Sequence, residues 1–371
     1  MKPKIGILIP QLGITDRGAE ITIYELAKCL HPEFDITIWV RFVLKPSQLI
    51  KDLALRGIHI RQIKCITGDN WFIQRIYKFN FFKNVLDKFH LTPFEIEMLG
   101  FSLICLPQLL SDKIDILFPA NGFWGALICK FVRFTRSIPF IYSSLGGIEP
   151  LIAKLKPDAY ITTNPVIKRF LKTHFSDLKV TYISTGVDLN KFNPNGKVAQ
   201  INLVHPIILT ISALYPWKKV DLTIKAVGKL RKGSLLIIGN GPLKSNLIQA
   251  AQKYLGNGRF LFQSSAYSRL DQFYRAADVF THSAPWEVGW GMVHLEALAT
   301  NLPVVANKEE NLVKLLKGIG ITCDVSNIKK YAKALERALS SKRDFHRRLR
   351  MEKFSWSTIS KQYKKCFYDL V

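Results

Sequence analysis

The residues best suited to chemistry lie in one run near the C-terminus, Ala284-Pro285-Trp286-Glu287-Val288-Gly289-Trp290-Gly291-Met292-Val293-His294-Leu295-Glu296. Glu287 stands just before a glycine-rich turn, and Glu296 follows about two helical turns later. Carboxylates accept hydrogen bonds from sugar hydroxyls. Glycines let backbone N–H groups reach a diphosphate, and a helix N-terminus adds partial positive charge at the same point. The pattern therefore predicts a grip on a nucleotide sugar, with a carboxylate toward either end of the ligand. His294 reads as a helix position facing the sheet or cleft wall.

Three other turns carry the same kind of chemistry. Ser212-Ala213-Leu214-Tyr215-Pro216-Trp217-Lys218-Lys219-Val220-Asp221 follows an apolar run; Lys218 and Lys219 would neutralise a diphosphate leaving group as negative charge grows on it. Gly239-Asn240-Gly241-Pro242 is a tight turn at which Gly241 would admit a ligand close to the backbone. Near the N-terminus, Asp16-Arg17-Gly18-Ala19-Glu20 opens an amphipathic helix, a natural anion site where Gly18 would let substrate approach. Taken singly, each is also what an ordinary turn or a solvated lysine pair looks like. Their shared position after strand-like runs favours the functional reading.

These residues need a frame that brings strand ends together. Apolar runs occur at 4–10, 34–40, 58–63, 115–118, 139–143, 159–162 and 180–183, then at 207–211, 235–238, 260–262, 279–281, 303–306 and 319–322, with helix-like segments between them. The runs are continuous rather than alternating, which predicts parallel strands covered on both faces. The expected fold class is α/β: two Rossmann-like domains with a ligand cleft between them at the carboxyl ends of the strands. Gly, Asn and Pro cluster over 185–196, so the boundaries are set at 1–185 and 186–354. Segment 71–91 places Phe72, Ile76, Phe79, Leu86 and Phe89 at helical spacing among Arg75, Lys78, Lys83 and Lys88. That predicts either a helix packed on the first sheet or a surface helix for anionic lipid.

Composition narrows the classes. Lys and Arg number 53 against 28 Asp and Glu, a formal net charge of +25, which attracts polyanions or anionic membrane surfaces. No nucleic-acid recognition motif accompanies it, so no nucleic-acid partner is expected. The six cysteines form no CxxC pair and the eight histidines have no ligand spacing, so no metal site is expected. The most apolar stretch, 98–110, is short for a bilayer and contains Gly100, Ser102, Pro107 and Gln108. The chain opens on a strand-like run without signal-peptide anatomy, giving a cytoplasmic expectation, with peripheral association at the inner membrane face left open.

Together these segments resemble the family 4 glycosyltransferases, retaining enzymes of the two-Rossmann B-type fold. Arg17-Gly18-Ala19-Glu20 looks like the family's Gly-Gly-x-Glu loop. Residues 183–192 look like its Asn-Gly-Val-Asp-x-x-x-Phe hinge, and 212–221 resemble a branch with Ala-Leu-x-Pro-x-Lys. Tyr274-Arg275-Ala276-Ala277-Asp278-Val279-Phe280, the 287–306 run and Phe354-Ser355-Trp356 are also similar. The resemblance implies a closing helix, 355–371, crossing back to the N-terminal domain. It implies that Glu296 holds the donor ribose and Glu287 the donor sugar. Backbone at Gly291, Met292 and Val293 would face the diphosphate, Lys218 would supply its principal positive charge, and Gly18 would lie near the phosphates or acceptor. The implied activity is metal-independent hexosyl transfer from a nucleoside diphosphate sugar, with no cofactor, to a saccharide or lipid-linked acceptor in cell-surface polysaccharide or glycolipid synthesis. Base recognition falls to the 263–265 turn. The family's usual arginine is Ala213 here, eight residues rather than the usual seven separate Glu287 from Glu296, and only Asn121 and Glu149 stand where many relatives carry a histidine. The alternative is therefore a non-catalytic, nucleotide-sugar-binding subunit.

Overall fold

A computed structural model describes residues 2–79, 83, 86, 91–120, 122–145, 147, 149–284, 291–341 and 343–371. The chain forms two compact units, Met1–Ile183 with Ser360–Val371, and Ser184–Ile359.

In the first unit, strands β1 (Lys4–Leu8), β2 (Asp35–Arg41), β3 (His59–Ile63), β4 (Ile116–Pro119), β5 (Ile141–Ser144), β6 (Ala159–Thr162) and β7 (Val180–Tyr182) alternate with helices α1 (Gly18–Leu30), α2 (Gln48–Leu55), α3 (Trp71–Lys78), α4 (Pro93–Ser111), α5 (Phe123–Arg136), α6 (Pro150–Lys154) and α7 (Pro165–His174). Strand order is β3-β2-β1-β4 and β5-β6-β7. The two parts join where Leu117 bridges Phe140 in parallel and its N–H donates to Pro139 O at 2.9 Å. Order reverses between β1 and β4, which puts the β1–α1 loop at the switch point of this sheet.

The second unit repeats the plan. Strands β8 (Ile207–Ile211), β9 (Ser234–Ile238), β10 (Phe260–Gln263), β11 (Val279–His282), β12 (Val304–Asn307) and β13 (Ile321–Cys323) form one parallel sheet in the order β10-β9-β8-β11-β12-β13. Helices α8 (Val220–Gly228), α9 (Lys244–Leu255), α10 (Leu270–Ala276), α11 (Met292–Ala299), α12 (Glu310–Leu316), α13 (Ile328–Leu339) and α14 (Phe345–Leu349) accompany it. The central strands β8 and β9 are buried at every position, as continuous apolar runs require. The last helix, α15 (Trp356–Tyr368), enters the first unit at Ser360. There Phe367 meets Phe34 and Phe118 edge-on, each at 5.7 Å between centroids, and Lys364 pairs with Glu33 at 2.6 Å. The crossing-back helix implied by the family resemblance is thus present, and the fold is α/β with two Rossmann-like units.

Two expectations need correction. The helix expected over 71–91 stops at Lys78, because Phe79 turns to extended backbone (φ −85°, ψ 112°). Ile73 is the residue it buries, while Phe72 and Phe79 face solvent. Lys88 and Phe89 lie outside the described residues. The apolar stretch set at 98–110 belongs to a 19-residue helix, α4, long and apolar enough by length and composition to cross a membrane. Thr92 caps it, accepting from Glu95 N–H, and Pro93 fits its first turn. Met98, Phe101, Cys105 and Leu109 pack into the core from one face, while Leu103 and Ile104 are exposed on another.

Candidate functional site

The switch point of the second sheet lies between β8 and β11, and most of the chemically suited residues converge on the turns that leave these two strands. After β8 the chain passes Ser212–Tyr215, makes a 3₁₀ turn at Pro216–Lys218, and enters α8 through Lys219. Lys219 is in the left-handed region (φ 49°, ψ 36°), a conformation a lysine adopts only when its surroundings enforce it. Ser283, just past the end of β11, holds the carbonyl of this residue. Its Oγ donates to Lys219 O at 2.8 Å and lies 3.3 Å from Lys218 O. Ser283 therefore ties the two-lysine turn to the strand that leads to α11.

The Gly239–Gly241 turn after β9 closes the other side. Leu214 N–H donates to Asn240 O at 3.0 Å, and Leu243 N–H donates to Leu214 O at 3.1 Å. A Cβ on Gly241 would lie 2.6 Å from Leu214 O. Gly241 is thus required for the close approach of this turn to the chain at Leu214.

Helix α11 begins at Met292 with Gly291 as its N-cap. The first N–H groups of a helix have no intrahelical carbonyl partners, so the backbone at Gly291, Met292 and Val293 forms a pole of partial positive charge. Glu296 is one turn further along and only 3% exposed. The fully buried Tyr274 of α10 donates its hydroxyl to Glu296 Oε2 at 2.7 Å and lies 3.2 Å from Val293 O. Burial, reinforced by the Glu296 carboxylate, holds the Tyr274 hydroxyl well above the ordinary phenol range, so it remains a donor. His294 is buried on the sheet side, its ring 5.3 Å from that of His282 and edge-on to Phe280. Glu287 and Gly289 lie outside the described residues.

The far end of α11 is held by arginines. Arg348 donates to Ala299 O (3.2 Å), Phe192 O (2.8 Å) and Leu189 O (2.9 Å). Arg343 donates to Arg275 O (3.0 Å) and Ala277 O (2.6 Å), with Thr300 O at 3.4 Å. Cations at a helix C-terminus satisfy its last carbonyls and complement its dipole.

Gly18 belongs to the first unit. It is the first residue of α1, and a Cβ there would meet nothing within 4 Å. Glu20, in the same turn, is buried; burial lifts its carboxyl above the usual range against the pull of backbone N–H groups and Arg17. Glu149, after β5, accepts a hydrogen bond from Tyr142, and burial raises its carboxyl too. Asn121 lies outside the described residues. Tyr274 and Ser283 are the functional candidates that sequence reasoning missed. Tyr274 sits inside a segment noted for its resemblance, but nothing in the sequence pairs either side chain with its partner.

Among the described residues, no cluster of three or more His, Cys, Asp or Glu side chains is arranged to hold a metal.

Residues 194–355 match the model of the family described as glycosyl transferases group 1. An uncharacterized glycosyltransferase of Methanocaldococcus jannaschii, MJ1069, is 22% identical over 99% of this chain and 97% of its own length. A GDP-mannose-dependent monoacylated alpha-(1-6)-phosphatidylinositol monomannoside mannosyltransferase of Corynebacterium glutamicum is 27% identical over 48% of this chain and 52% of its own. Among solved structures, Anabaena Alr3699/HepE in complex with UDP and glucose superposes with a TM-score of 0.75 at 15% identity, covering 99% of this chain and 100% of that one. Sucrose-phosphate synthase of Thermosynechococcus elongatus gives 0.75 at 18% identity, covering 100% and 99%. The fold is accordingly the B-type glycosyltransferase fold.

Proposed function

We propose, for a chain that belongs to the glycosyl transferases of group 1 through residues 194–355, retaining transfer of a hexose from a nucleoside diphosphate sugar to a saccharide or lipid-linked acceptor, in the manner of family 4. The observation that carries this reading is the convergence at one switch point of a cationic turn, fixed through Ser283, and a helix N-terminus with a buried, oriented carboxylate, Glu296. Glu296 accepts from the donor ribose hydroxyls. The diphosphate lies against the N–H groups of Gly291–Val293 and the side chains of Lys218 and Lys219.

In the reaction the anomeric carbon–oxygen bond to the diphosphate breaks while the acceptor hydroxyl oxygen bonds to the same face of that carbon. The hydroxyl proton passes to the departing phosphate oxygen, so no covalent sugar–enzyme intermediate is needed. Charge accumulates on the diphosphate, and fixed cations and amide dipoles stabilise it there without reorganising. This lets the lysines and the α11 pole take the place of a divalent ion. Glu287 receives the donor sugar hydroxyls in this scheme.

A glycolipid acceptor is favoured by two observations. The Corynebacterium relative is named for a phosphatidylinositol mannoside, and the net charge of +25 suits an anionic membrane surface. Peripheral association on the cytoplasmic face is part of the same proposal, and that charge supports it.

A thermal-shift screen over uridine, guanosine and adenosine diphosphate sugars tests the reading, since a ligand at 100 times its Kd adds about 2.7 kcal/mol of stability. One nucleotide class should raise the melting temperature and support transfer to a glycoside or glycolipid. No shift with any of them would end the proposal.

A further inference from the structure

Beside the lysine turn, Tyr215 and Trp217 stack with ring centroids 4.6 Å apart and 23° between their planes. Trp217 is 57% exposed. The turn that carries the pair is fixed from several directions. Lys218 N–H donates to Tyr215 O at 3.0 Å, Leu214 is bonded to both Asn240 and Leu243, and Ser283 holds Lys219 O. Pro216 restricts the backbone between the two rings. An open indole face is thus presented in a set orientation, one residue from the lysine assigned to the diphosphate.

We propose that the Tyr215–Trp217 stack is a platform for the apolar face of a pyranose ring. The inference rests on the donor reading above. A pyranose directs C–H bonds, with slight positive charge, from one ring face; an indole face carries the negative part of its quadrupole. A turn locked by backbone hydrogen bonds loses little freedom on binding, so the stacking is not offset by ordering. With the ribose at the buried Glu296 and the diphosphate at Lys218, the ring that reaches the open indole is a sugar. It is either the hexose being transferred or the terminal sugar of the acceptor.

The test compares wild type, Trp217→Ala and Trp217→Phe, with unliganded melting temperatures checking that each is folded. Three probes are used: free UDP, GDP and ADP; UDP-glucose, GDP-mannose and ADP-glucose; and octyl glucoside and octyl mannoside as acceptors in transfer assays. Free diphosphates should bind Trp217→Ala as they bind wild type. If the donor hexose lies on the platform, Trp217→Ala loses affinity for the sugar nucleotide about tenfold, the loss of one ring stack. If the acceptor sugar lies there, donor affinity holds and the acceptor KM rises by a similar factor. In either case Trp217→Phe recovers part of the loss. The inference is overturned if both affinities are unchanged in Trp217→Ala, or if free diphosphate binding weakens equally, which would make the platform a nucleobase seat. Failure of every nucleotide to bind wild type would instead refute the donor reading beneath it.

Discussion

Tyr274→Phe removes a single oxygen from the interior of the second unit. That oxygen donates to Glu296 at 2.7 Å, and both residues are buried, so water cannot replace it without opening the core. A hydrogen bond to a charged group contributes about 1.5–3 kcal/mol, and its loss exposes the carboxylate to its desolvation cost. In a unit the size of Ser184–Ile359, each kcal/mol moves the melting temperature by about 2–4 °C, so a fall of roughly 3–12 °C is expected. Donor binding should suffer as well, because Glu296 loses the group that aims it; a donor KM roughly tenfold higher corresponds to about 1.4 kcal/mol. Calorimetry on wild type, Tyr274→Phe, Glu296→Ala and the double variant isolates the pair. A coupling of about 1.5–3 kcal/mol is expected. Additive single effects together with unchanged nucleotide binding would refute the assignment of Tyr274 as the residue that positions Glu296.

Lys218→Ala should lower transfer by about a hundredfold or more while leaving the melting temperature within a few degrees, measured by steady-state transfer on the best donor; full activity would remove it from the diphosphate site. Glu149 has a folded-state carboxyl raised above its ordinary 4.5 by burial, so between 4.5 and the raised value the native state binds more proton than the unfolded chain. Stability therefore falls as pH rises from about 4.5 through the raised folded value. Glu149→Gln, whose amide oxygen still accepts from Tyr142, should flatten that slope in urea titrations across pH and be the more stable form at neutrality. Arg348→Ala should cost about 3 kcal/mol in urea unfolding, and Arg348→Lys should recover little of it, because lysine lacks the guanidinium fork that spans three carbonyls.

The frame was legible because buried parallel strands need uninterrupted apolar runs. The run 159–162 is β6 and 207–211 is β8, and the remaining strands fall within two residues of the expected limits at most ends. The lysine turn and α11 were legible for the same reason: each follows a strand end, where Rossmann-like sheets present their loops. Tertiary pairings were not legible. Nothing local marks Ser283 as the partner of a left-handed Lys219, nor Tyr274 as the donor to Glu296 across 22 residues. Gly241 carried the signal of a close backbone approach, and Leu214 O is the group a Cβ there would meet. The 71–91 periodicity pointed to helix but not to where the chain leaves that conformation, which here is Phe79.

Arg348 has a further consequence for protein engineering. It joins Leu189 and Phe192, near the start of the second unit, to the terminal carbonyl of the helix that begins at the candidate pyrophosphate seat. A chimera that grafts residues 194–340 into a relative would leave Arg348, Leu189 and Phe192 behind and part the last carbonyl of α11, Ala299 O, from the arginine that satisfies it. Exchange of donor preference between relatives should therefore succeed only when the transplanted cassette runs from about 184 to 359.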